Sequence, residues 1–113
     1  MKRSAFATLA ALILVAPILL LGMTTGDVEQ GKAVFMKRCK MCHGADGEGN
    51  PAIARMMKVE FHPMASDYVQ QKTDAQLKDI ILKGKGKMPA VKGITDEEIS
   101  DVIAYIHSLG KKE

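Results

Sequence analysis

Apolar positions after residue 70 recur at helical spacing. Ile99, Val102, Ile103 and Ile106 fall on one stripe and predict a helix that opens near Thr95. Its start is strongly marked. Thr95 can cap it, Glu98 can return the bond, and Ile94 with Ile99 forms a hydrophobic staple. Asp96 and Glu97 place negative charge at the positive end of the helix dipole. Gly110 ends it, with Lys111 and Lys112 beyond. Leu77, Ile80 and Ile81 mark a second stripe, opened by a Thr73/Gln76 capping box and stopped by Gly84. Val28, Gly31 and Phe35 mark a third, capped by Asp27 with Gln30 and running toward Cys39. No repeat and no alternating run long enough for a strand interrupts this pattern, so the expected class is all-α with three main helices.

The connections read as loops. Gly44 to Pro51 holds three glycines, an asparagine and a proline. Ala52 to Met57 predicts a short helical turn, and His62-Pro63 breaks Glu60 to Ser66. Lys83 to Gly93 is a loop rich in glycine and lysine that contains Met88-Pro89. The stretch Lys58 to Gln71 carries no pattern that assigns a function.

The N-terminus is of another kind. Lys2 and Arg3 precede an uncharged run from Ala5 to Met23, which reads as an export signal. Thr24 and Gly26 are small residues at −3 and −1 of a cut before Asp27. The run also approaches the roughly 20 residues that span a bilayer, so a retained anchor is the alternative. Residues 1–26 are therefore a signal peptide or an uncleaved anchor, and 27–113 one small domain. With no cysteine near this segment, a lipid anchored through cysteine is excluded.

So short a domain needs something to staple its core. The whole chain has no tryptophan, three phenylalanines and two tyrosines. Without Lys2 and Arg3, 14 basic residues face 13 acidic ones. Neither this balance nor any basic-aromatic pattern argues for nucleic acid.

The two cysteines of the chain stand in Cys39-Lys40-Met41-Cys42-His43. This C-x-x-C-H spacing reads as covalent haem attachment. Both thiols can add to vinyl groups on one edge of a porphyrin, and the adjacent histidine can reach the iron as proximal ligand. A redox dithiol would want a strand-helix context, and a tetrahedral zinc site would want further ligands. The haem supplies the missing flat apolar bulk, so the chain without it is expected to be largely unfolded. Its two ionised propionates would bring the charge of the domain to about −1.

The second side of the iron decides the chemistry. Met56, Met57, Met64, Met88, His62 and His107 lie downstream. Met88 is the best candidate, because it sits in a loop between two helices and Pro89 stiffens it. A thioether there favours reduced iron. Met56, Met57 and Met64 read as wall or core residues, and His62 and His107 as exposed. Lys83, Lys85, Lys87 and Lys92 surround Met88, as a solvated loop or as a basic collar that steers acidic partners.

With these motifs in place the chain resembles the class I c-type cytochromes of the short bacterial monohaem type. The resemblance rests on Cys39 to His43, on Gly84-Lys85-Gly86-Lys87-Met88-Pro89, and on Tyr105-Ile106 in the last helix. It covers Asp27 to Leu109. It implies a small cytochrome c fold wrapped around one haem c, held through Cys39 and Cys42 and ligated by His43 and Met88. It also implies that the first and last helices cross near Gly31, Phe35 and Tyr105. The Pro51 carbonyl would accept the second N–H of His43. The implied role is an exported, periplasmic electron carrier that serves redox protein partners and is not an enzyme. Two other readings stand beside it. One is a membrane-anchored haem subunit of a respiratory complex. The other is a haem peroxidase or gas sensor with a labile distal ligand.

Overall fold

The computed structural model describes residues 26–111. The apolar run from Ala5 to Met23, and the export signal read from it, lie outside them. Among the described residues six helices follow one another: α1 (Val28–Arg38), α2 (Lys40–His43), α3 (Pro51–Met57), α4 (Asp67–Gln70), α5 (Asp74–Lys83) and α6 (Asp96–Leu109). The three expected helices are α1, α5 and α6. Among the described residues there is no strand, only an isolated bridge between Lys85 and Met88.

The caps explain the boundaries. Thr73 and Gln76 close both bonds of their capping box. Thr95 takes the Glu98 N–H at 3.1 Å. Asp27 accepts from the Gln30 N–H at 2.9 Å, but its own N–H donates to the Asp101 carboxylate at 2.7 Å, not back to Gln30. The start of α1 is therefore tied across to α6. Asn50 caps α3 through the amides of Ala52 and Ile53, and Pro51 takes its first position. Pro51 thus belongs to the helix and not to the preceding loop.

The crossing of α1 and α6 is the main helix–helix contact. Gly31 makes it possible, because a Cβ at this position would overlap the Asp101 carbonyl and press on Tyr105. Phe35 is wholly buried and meets the Tyr105 ring edge-on at 5.3 Å. Ile99, Val102, Ile103 and Ile106 are all buried, as are Leu77, Ile81, Val69 and Met64. Val28 departs from its expected face and stays exposed. Gln70 ties the α4 turn to this core by donating to the Met64 carbonyl at 2.6 Å and the Ile106 carbonyl at 2.8 Å.

Candidate functional site

The chain does not run straight from α1 into the cysteine motif. Cys39 breaks the helix with φ −120°, and α2 then carries Met41, Cys42 and His43 in a fresh turn. With this offset Cys39, Cys42 and His43 all line an apolar cavity of about 350 Å³. The two cysteines form no disulfide with each other, and both are half-buried. Burial pushes the Cys39 thiol up to about 11. It also pushes His43 below the usual imidazole range, which keeps the ring neutral, as a metal ligand must be.

The orientation of His43 comes from its neighbours. Phe61 meets the ring edge-on at 5.5 Å, and Phe35 lies at 6.4 Å on a tilt. Nδ1 is buried and finds no hydrogen-bond partner among the described residues. The expected bond to the Pro51 carbonyl is therefore not made. Pro51 opens α3, where its carbonyl is an intrahelical acceptor. Since Nδ1 is sealed from the cavity, Nε2 is the nitrogen left to meet a metal there.

Met88 lines the same cavity. Its loop is internally fixed, with Lys85 and Met88 exchanging backbone bonds of 3.0 and 2.9 Å. Gly84 holds φ 77°, and a Cβ there would run into the Met88 carbonyl, so glycine is required where α5 turns into the loop. The far end is held by Val91, which donates to Ile81 at 2.8 Å, and by the Arg38 guanidinium on the Lys92 carbonyl.

The other candidates separate cleanly. Met57 and Met64 line the cavity, whereas Met56 is 71% exposed and is neither core nor wall. His62 is exposed at the cavity wall and stacks on Tyr68 at 3.8 Å. His107 is half-buried and pairs with Asp74 at 2.9 Å, away from the cavity. The lysine collar is rearranged. Lys83 is paired with Asp79 at 2.7 Å, while Lys85, Lys87 and also Lys72 line the cavity beside Glu60.

Apart from Met64, sequence reasoning missed the wall supplied by the stretch after Lys58. Val59, Phe61, His62, Met64, Tyr68 and Val69 all line the cavity. The available signal was aromatic scarcity: in a chain with three phenylalanines and two tyrosines, Phe61 and Tyr68 had reason to be near a flat apolar ligand.

Two thiols, a histidine and a loop methionine lining one apolar chamber fit a haem and define a small all-α haem protein. The comparisons agree. The Cytochrome c family model matches residues 28–110, and the chain belongs to the cytochrome c family. It is 33% identical to cytochrome c6 of Synechocystis over 109 residues, covering 92% of this chain and 85% of that one. It is 33% identical to cytochrome c-555 of Methylococcus capsulatus over 78 residues, covering 66% and 55%. It is 32% identical over 92 residues to a cbb3-type cytochrome c oxidase subunit, FixP, of Rhizobium meliloti, covering 76% of this chain and 29% of the subunit. The chain thus spans less than a third of the oxidase subunits it matches. It carries one haem c, bound covalently through Cys39 and Cys42. Membership of this family supports haem-based electron transfer.

Proposed function

We propose that the chain is an exported carrier that shuttles electrons between respiratory proteins on a haem ligated by His43 and Met88. The observation that carries this reading is that His43 and Met88 line one apolar cavity together with both cysteines. When bound, the haem supplies a reversible one-electron couple. The protein's part is to keep His43 neutral, to hold Met88 on a braced loop and to exclude water. Were His43 and Met88 both to hold the iron, they would leave it no open site for oxygen chemistry.

Replacing Met88 with alanine tests the ligand assignment. The ferric spectrum should turn high-spin, and the ferrous form should bind carbon monoxide rapidly. An unchanged spectrum would remove Met88 from the iron.

Lys72, Lys85 and Lys87 suggest how partners are met. They give the cavity wall a net positive charge against the single Glu60. Such a patch speeds encounter with acidic docking surfaces. Electron transfer to such a partner should slow steeply with added salt, and a flat response would retire the idea.

The likeness to oxidase subunits supports a second reading, in which the same domain serves a membrane complex. N-terminal sequencing of the purified protein separates the two. A start at Asp27 indicates a free periplasmic carrier, and retention of residues 1–26 an anchored one.

A further inference from the structure

The lysines beside Met88 do more than carry charge. Lys87 reaches across from the methionine loop and its ammonium donates to the Met57 carbonyl at 2.6 Å. That carbonyl belongs to the last turn of α3, one of the free acceptors at a helix end. Lys85 reaches toward the neighbouring wall and donates to the Tyr68 hydroxyl at 3.2 Å. The two bonds join the loop between α5 and α6 to the end of α3 and to α4, and all four residues line the cavity. Lys83 shares their charge but not this arrangement, since its partner Asp79 lies one turn back on its own helix.

We infer that Lys87, assisted by Lys85, is a positioning residue that latches the Met88 loop to the opposite wall of the cavity. This rests on Met88 being the distal ligand, and adds what keeps it there. The loop's backbone bonds make it rigid as a unit, with Gly84 at its start and the Arg38 contact at its end. A rigid loop can still swing as a body about its two ends. The Lys87 bond acts at the residue next to Met88, where it opposes that swing most directly. Lys58 helps to present the acceptor. It stands in the left-handed conformation at φ 54° and ends α3 just past Met57.

An added ligand such as imidazole reaches the iron only in molecules whose loop has opened, so its apparent affinity reports the open fraction. In the ferric holoprotein, Lys87→Ala should tighten imidazole binding about three- to tenfold, the range of one net hydrogen bond. Lys87→Arg, which keeps a long donor, should restore most of the wild-type value. Tyr68→Phe removes the Lys85 acceptor without altering charge and should give a smaller change of the same sign. Lys83→Ala removes a charge without crossing the cavity and should change nothing. Wild-type affinity in Lys87→Ala, or an equal effect from Lys83→Ala, would overturn the latch. The wild-type ferric spectrum, recorded first, keeps the two ideas apart. Without the long-wavelength methionine–iron band, Met88 itself is not the ligand and the latch falls with it.

Discussion

At Gly31 a missing side chain fixes how closely α1 approaches α6. A methyl group there would overlap the Asp101 carbonyl, which is backbone and cannot turn aside. Gly31→Ala should therefore destabilise the holoprotein by about 1–3 kcal/mol, the cost of overfilling a close contact, despite alanine's better helix propensity. Thermal unfolding checks this; an unchanged or higher Tm would contradict the crossing. His43 makes a second prediction at this scale. Burial lowers its pKa below 6.5, so the folded form binds fewer protons than the unfolded chain as pH falls through that value. Stability is thus held above about 6.5 and lost below it, and a bond to iron has the same sign. Acid titration of the ferric spectrum to a high-spin form should have its midpoint below 6.5. A midpoint at or above that pH would contradict a buried, neutral His43.

Among the elements, those with both a stripe and a cap were legible in the sequence. In α5 and α6, Thr73 and Thr95 announce the start, and the apolar spacing continues into the core. The haem motif was legible because two cysteines and a histidine have few other uses at that spacing. What could not be read depends on partners distant in sequence. The Asp27 N–H goes to Asp101, 74 positions away, a choice that no local pattern could reveal. The wall from Val59 to Val69 has no helical period, because the cavity and not a helix face selects its residues. Nor does a glycine mark the end of α3, since Lys58 takes the left-handed conformation itself. Gln70 holds this irregular wall to α6 by donating to one carbonyl on each, those of Met64 and Ile106. Gln70→Ala should cost about 2–3 kcal/mol, as two carbonyls lose their partner. The spectrum should stay unchanged while the Tm falls. A shifted spectrum with unchanged Tm would place Gln70 in the haem environment instead.

As a whole, the molecule is built around its cavity. Phe35, Leu77, Ile81, Val102 and Ile106 line it as well as forming the core, so much of the core finishes against the space a haem would fill. A domain of this size has little apolar surface to spare. The double variant Cys39→Ala, Cys42→Ala should lose cooperative unfolding and most helical circular dichroism, and a native-like transition in it would contradict the haem's structural role. The central claim is that His43 and Met88 close both faces of the iron so that the protein can only pass electrons. An optical redox titration of the mature protein tests it most directly. Expected are low-spin spectra in both oxidation states, a methionine–iron band in the ferric form alone, and a single reversible one-electron transition. A high-spin ferric spectrum with rapid carbon monoxide binding after reduction would contradict it.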